Sequence, residues 1–118
     1  MWIDKYLYIE KVDKQKPVEF LGSSREALRE FPTAVRLAIG RELREVQKGS
    51  MPSDFKPMST VGKGVYEIRV RLNGAWRALY VAKFQEAVYV LHVFQKKTQQ
   101  TSKEDIETAK RNYKGIGA

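Results

Sequence analysis

Cysteine is absent from this 118-residue chain and histidine occurs once. The first absence removes disulfides and thiolate metal ligands, and the second removes any metal motif built on two histidines. No apolar run approaches the roughly 18 residues that a membrane span requires. The N-terminal Met1-Trp2-Ile3-Asp4-Lys5-Tyr6 has acidic and aromatic residues where a secretory leader has a basic segment and then an apolar one. The expectation is a cytoplasmic protein with no membrane contact, metal or cofactor. Acidic residues are the scarcer charge, 14 against 22 Lys and Arg, for a net charge of +8. A hydrophobic share of 42% beside a charged share of 31% describes an ordinary folded domain. At this length, one domain over residues 1–118 is expected.

The excess positive charge is unevenly placed. Residues 1–60 hold 11 basic and 9 acidic side chains, whereas residues 61–118 hold 11 and 5. A basic C-terminal half favours a polyanionic partner, because each neutralised phosphate releases condensed counterions. Nucleic acid is therefore preferred over a merely soluble surface, although charge alone does not separate binding RNA from cutting it.

Aromatic and β-branched residues over 6–12 suggest a strand, and 17–21 suggests a short linker. Ser23 with Glu26 has the spacing of a capping box for a helix through Phe31. Pro32 suits the start of a second helix, whose Val35, Ile39, Leu43 and Val46 recur at helical spacing before Gly49. Residues 51–64, with Pro52, Pro57, Gly62 and Gly64, suggest a loop. Three strands are expected at about 65–72, 76–84 and 87–94, the first two joined by the hairpin dipeptide Asn73-Gly74. Thr101 with Glu104, or Ser102 with Asp105, caps a last helix carrying Ile106, Ala109 and Tyr113 on one face.

Alternation sets Tyr66, Ile68 and Val70 on one face of the first meander strand and Glu67, Arg69 and Arg71 on the other. Arg77 follows the turn and should lie near Val70, Arg71 or Leu72. Lys96 and Lys97 leave the third strand at the same end, so these cations can converge on one patch. The alternative is a scatter of solvated charges. Arginine keeps its charge at any working pH and grips phosphate with a planar fork. His92 suits acid–base work at neutral pH, but it sits in an apolar strand on the face of Val88, Val90 and Phe94 and ranks below the cations. Tyr113 can stack on a base, though core packing suits its face better. Lys63 between two glycines and Lys103, with Lys110, Arg111 and Lys114, on the last helix are further phosphate contacts to consider. A solvated helix face is the bland reading of the latter.

Three segments, Val65-Tyr66-Glu67-Ile68-Arg69, Trp76-Arg77-Ala78-Leu79-Tyr80 and Val90 through Thr98, resemble the RelE/HigB superfamily of bacterial toxins, closest to its phage-derived HigB-like branch. The resemblance is strongest over 64–113. It implies an α+β, RelE-like fold: N-terminal strand, α-hairpin, three-stranded antiparallel meander and C-terminal helix. It also implies the toxin of a type II toxin–antitoxin system, a metal-independent, ribosome-dependent mRNA endoribonuclease. Catalytic roles fall to Arg69, Arg77 and Lys96, and substrate contacts to Lys63, Arg71, Lys97 and Lys103, with Glu67, His92 and Tyr113 as further candidates. The implied partners are ribosome-bound mRNA and a cognate antitoxin, often of helix-turn-helix type. One departure is Glu67, which stands where relatives can carry a basic residue. Either Glu67 or a lysine accepts a proton, or this branch works with fewer cations. The competing reading is a non-catalytic nucleic-acid-binding or regulatory module on the same fold.

Overall fold

Two faces of one twisted sheet are packed differently, and that difference makes the site. The computed structural model describes residues 15–117, so the strand expected over 6–12 lies outside them. The elements are β1 Val18–Phe20, α1 Ser24–Arg29, α2 Thr33–Gln47, β2 Phe55–Pro57, β3 Val65–Arg71, β4 Ala75–Val81, β5 Val88–Lys96 and α3 Lys103–Lys114. The strands form a five-stranded sheet in the order β1-β5-β4-β3-β2. Strand β1 runs parallel to β5, and the remaining neighbours are antiparallel. The α+β class, the helical hairpin, the meander and the C-terminal helix are all present.

Two segments depart from the sequence expectation. The supposed linker contains β1, and the supposed loop contains β2, so the meander is the centre of a mixed sheet. Each added strand is three residues long, and all of β2 is exposed. Strands that short carry no alternation to read, and their pairing is decided by the neighbours they meet.

On one face, Val35, Ile39, Leu43 and Val46 of α2 pack onto Ile68, Val70, Trp76, Ala78 and Tyr80. Helix α2 ends in a paired-carbonyl cap. Gly49 at φ +96° donates to the Val46 carbonyl at 3.0 Å, and Ser50 donates to Glu45 at 2.9 Å. Ser23 precedes α1 without a side-chain cap bond, and it is Ser24 that is buried, its hydroxyl donating to the Val90 carbonyl at 3.3 Å. On the other face, α3 brings Ala109, with Ile106 and Tyr113, onto Val65, Leu79, Val81 and Leu91.

A bulge in β5 sets which residues reach which face. Leu79 pairs with His92 while Tyr80 pairs with Val90, leaving Leu91 as an extra residue. Val88, Val90 and Val93 therefore all enter the α2 core, whereas Leu91 and Phe94 enter the α3 core. This corrects the simple alternation that grouped His92 with Val88 and Val90. The hairpin between β3 and β4 follows its sequence signal, with Asn73 at φ 50° and Gly74 at φ 137°.

Candidate functional site

Paired residues of neighbouring strands project from the same side of a sheet, so the register orders the charged face into rows. The innermost row runs Lys56, Glu67, Leu79, His92 across β2 to β5. Next come Arg69, Arg77 and Phe94, and the outermost row is Arg71, Ala75 and Lys96. Helix α3 covers the apolar half of this face, and the rows with Arg69 and Arg71 occupy the other half. Arg69, Arg71, Arg77 and Lys96 are thus brought together. Arg77 sits one row further in than expected, directly opposite Arg69.

Arg77 is not a rim residue. Its side chain is 3% exposed, and that of Glu67 is 2% exposed. Arg77 Nε lies 3.4 Å from Glu67 Oε1, and a terminal nitrogen donates to the Trp76 carbonyl at 3.0 Å. The same carboxylate oxygen is 4.0 Å from Nε of Arg69, whose side chain is 28% exposed. Glu67 Oε2 has no hydrogen-bond partner among the described residues. Burial lowers the Arg77 pKa from the ordinary arginine value, the Glu67 charge opposes that, and Arg69 and Arg71 push the same way as burial. Glu67 is therefore the counterion that lets two arginines stand opposite each other. Like charges so placed otherwise repel.

His92 is tied into α3. Its Nε2 lies 2.7 Å from Asp105 Oδ1, and its ring stacks on Phe94 with centroids 5.2 Å apart. Asp105 in turn accepts from the Ser102 hydroxyl at 2.7 Å, and its backbone N–H donates to that hydroxyl at 3.1 Å. Of the two capping boxes considered, the Ser102 one forms. This chain of bonds fixes the start of α3 at the border between the apolar and charged halves of the face.

The remaining candidates disperse. The Tyr113 hydroxyl donates to the Lys63 carbonyl at 2.9 Å and accepts from Lys83 at 3.1 Å, and its ring closes against Gly62. Tyr113 is thus a tether, and Lys63 sits before Val65, at the far end of β3 from Arg71. Six residues of strand separate those ends, about 20 Å. Lys63 is not part of the cation rows. Lys97 is exposed one residue beyond β5, and Lys103 is exposed at the first position of α3. Lys114 is at the other end of that helix, about 16 Å away along its axis.

Sequence reasoning missed Lys56. It pairs with Glu67 through β2 and, with Lys96, lines a cleft of about 360 Å³. Only the register of β2 reveals it, and a three-residue edge strand ending in Pro57 has no pattern that signals strand. Among the described residues, no three His, Asp or Glu side chains are grouped to hold a metal ion, and no helix is long and apolar enough to cross a membrane.

The class these features define is a small α+β protein built on the RelE fold with a basic half-face beside its C-terminal helix. Its structure is similar to that of E. coli toxin RelE in the free state, a form with two arginines replaced by alanine. The TM-score is 0.61 at 18% identity, over 86% of this chain and 98% of that one. A family model described as phage-derived protein Gp49-like matches residues 26–114. The chain belongs to that Gp49-like family, a RelE/HigB-like one. No curated protein matches it in sequence.

Proposed function

We propose that this protein is the toxin of a type II toxin–antitoxin pair, a metal-independent endoribonuclease that cuts mRNA on the ribosome. The observation that carries this reading is the pair of rows in which Arg69 faces Arg77 and Arg71 shares a row with Lys96. Cleavage by the adjacent 2′-hydroxyl builds negative charge on a five-coordinate phosphorus and then on the leaving 5′-oxygen. Preorganised guanidinium forks suit the first charge, and a lysine ammonium can hand a proton to the second. Arg69 and Lys96, both half-buried, make the direct contacts, while Arg71 lies further out on the exposed rim. Arg77 acts from beneath, held by Glu67, and contributes positive potential to the phosphate position. Arg71, Lys97 and Lys103 steer the RNA. The reaction runs in the cytoplasm, and an antitoxin, of helix-turn-helix type, restrains it by covering the cation rows.

The burial of Arg77 supports a second reading, a nucleic-acid-binding module that no longer cleaves, since a paired and covered arginine is not free to grip phosphate. One experiment separates the two. The protein is expressed alone in a bacterium, with growth, translation and transcript ends measured. Growth arrest with new mRNA ends inside coding regions is expected. Normal growth and intact transcripts, with folded protein confirmed in the cells, would overturn the toxin reading in favour of the second.

A further inference from the structure

The cleft beside the cation rows has a lining that phosphate binding does not require. Lys56 of β2 and Lys96 of β5 both line it, three strand places apart, about 14 Å across the sheet, and two rows apart, about 13 Å along the strands. Between those two strands, on the same face, lie Arg69 and Arg77. The rest of the lining is of another kind. Gln99, Gln100 and Thr101, from the connection between β5 and α3, offer amide and hydroxyl groups that both donate and accept. Buried Met58 and half-buried Ile106 add an apolar wall, and no carboxylate lines the space. Its volume of about 360 Å³ is at the small end of ligand sites, room for one nucleotide and too little for a stacked run.

We propose that this cleft is a single-nucleotide recognition subsite. It seats one RNA base against Met58 and Ile106, its polar edge read by Gln99, Gln100 and Thr101, while Lys56 and Lys96 hold the phosphates on either side. Two lysines alone would suit a bare phosphate. The mixed donors and acceptors and the apolar wall are what a base adds, since unstacked RNA bases are recognised by edge hydrogen bonds and apolar or stacking contact. The inference rests on the RNA-cleaving reading and deepens it. It makes the β5–α3 connection the part of the chain that sets which nucleotide lies beside the cut. Gln99 and Gln100 are both exposed, so exchanging them leaves the core untouched.

The test has two arms. In the first, isotopically labelled protein is titrated with each of the four ribonucleoside 5′-monophosphates and, separately, with inorganic phosphate, while backbone amide signals are followed by NMR. Nucleotides should move the signals of Met58, Gln99, Gln100 and Thr101, unequally among the four bases, and phosphate should move only those near Lys56 and Lys96. Phosphate reproducing the nucleotide pattern, or nucleotides leaving the cleft signals unmoved, overturns the subsite. In the second arm, cleavage positions are mapped in a translating extract for wild type and for Gln99→Ala/Gln100→Ala. The variant should still cut, with the preference at one position next to the cut relaxed roughly 5- to 100-fold, as for a lost side-chain contact to a base edge. Unchanged preference overturns the subsite. A wild type that never cuts but binds nucleotides in the cleft overturns the nuclease reading and leaves the subsite standing.

Discussion

Glu67 and Arg77 form a diagonal ion pair between β3 and β4, 3.4 Å apart, with both side chains almost entirely out of solvent. The pair has a structural role whatever the RNA does. Removing one member of such a pair strands the other charge in the interior and typically costs about 3–5 kcal/mol. Glu67→Ala should therefore destabilise the protein by that amount in urea unfolding, whereas Arg71→Ala, on an exposed side chain, should change it by no more than about 0.5 kcal/mol. Equal, small losses in both variants would show that Glu67 is not the counterion.

Position decides how the arginine variants differ. Arg77→Ala leaves Glu67 buried without its partner, so it should lose stability as well as activity. The place of Arg77 just past the Asn73-Gly74 turn gives no sign of this burial in the sequence. Arg69→Ala should stay folded and lose about 10²–10³ in cleavage rate, the usual effect of removing one preorganised donor. Lys96→Ala should behave likewise, and Lys97→Ala should have a smaller effect that fades as salt is raised. Rates from a translating extract, read beside unfolding curves, separate these cases.

The His92 contact is a prediction about helix docking. His92→Ala removes the link to Asp105 and the stack on Phe94, so the first turn of α3 should loosen. Hydrogen exchange in residues 103–106 should accelerate, with a stability loss of about 1–3 kcal/mol. Cleavage should persist. Complete loss of cleavage in a His92 variant whose α3 protection is unchanged would make the histidine a catalyst.

Alkaline stability should depend on Tyr80. Burial, with a smaller contribution from Tyr66, raises its pKa above the ordinary 10.0. The folded state therefore holds the phenolic proton more tightly than the unfolded one. That contribution is complete below pH 10 and declines as the pH rises above it. Urea midpoints at about pH 9 and about pH 11 should fall more for wild type than for Tyr80→Phe. An equal fall in both would show that the phenol does not contribute.

Legibility followed element length. The meander, the α2 face and the Ile106, Ala109 and Tyr113 face of α3 were plain in the sequence, because each repeats its pattern over several turns or pairs. Strands β1 and β2 were hidden because three residues repeat nothing, and Lys56 was hidden with β2. Alternation placed Glu67, Arg69 and Arg71 on one face correctly. It could not tell that Glu67 and Arg77 are sealed off while Arg71 is open, since cover comes from distant segments. The grouping of His92 failed at the extra Leu91, a local change of phase that leaves no mark on composition.

That extra leucine has a consequence for how the family can diverge. Removing Leu91 would restore strict alternation in β5 and keep its register with β4, so Phe94 and Lys96 would stay on the face of Arg69 and Arg77 and only an apolar contact with α3 would be lost. A deletion of one uncharged residue between His92 and Lys96, beyond the bulge, would leave net charge untouched, yet Lys96 would leave the face that carries Arg69 and Arg77. Insertions and deletions in β5 are thus a coarser lever on the site than any single substitution there. A relative one residue shorter at this point would keep every basic residue and still present a different electrostatic surface.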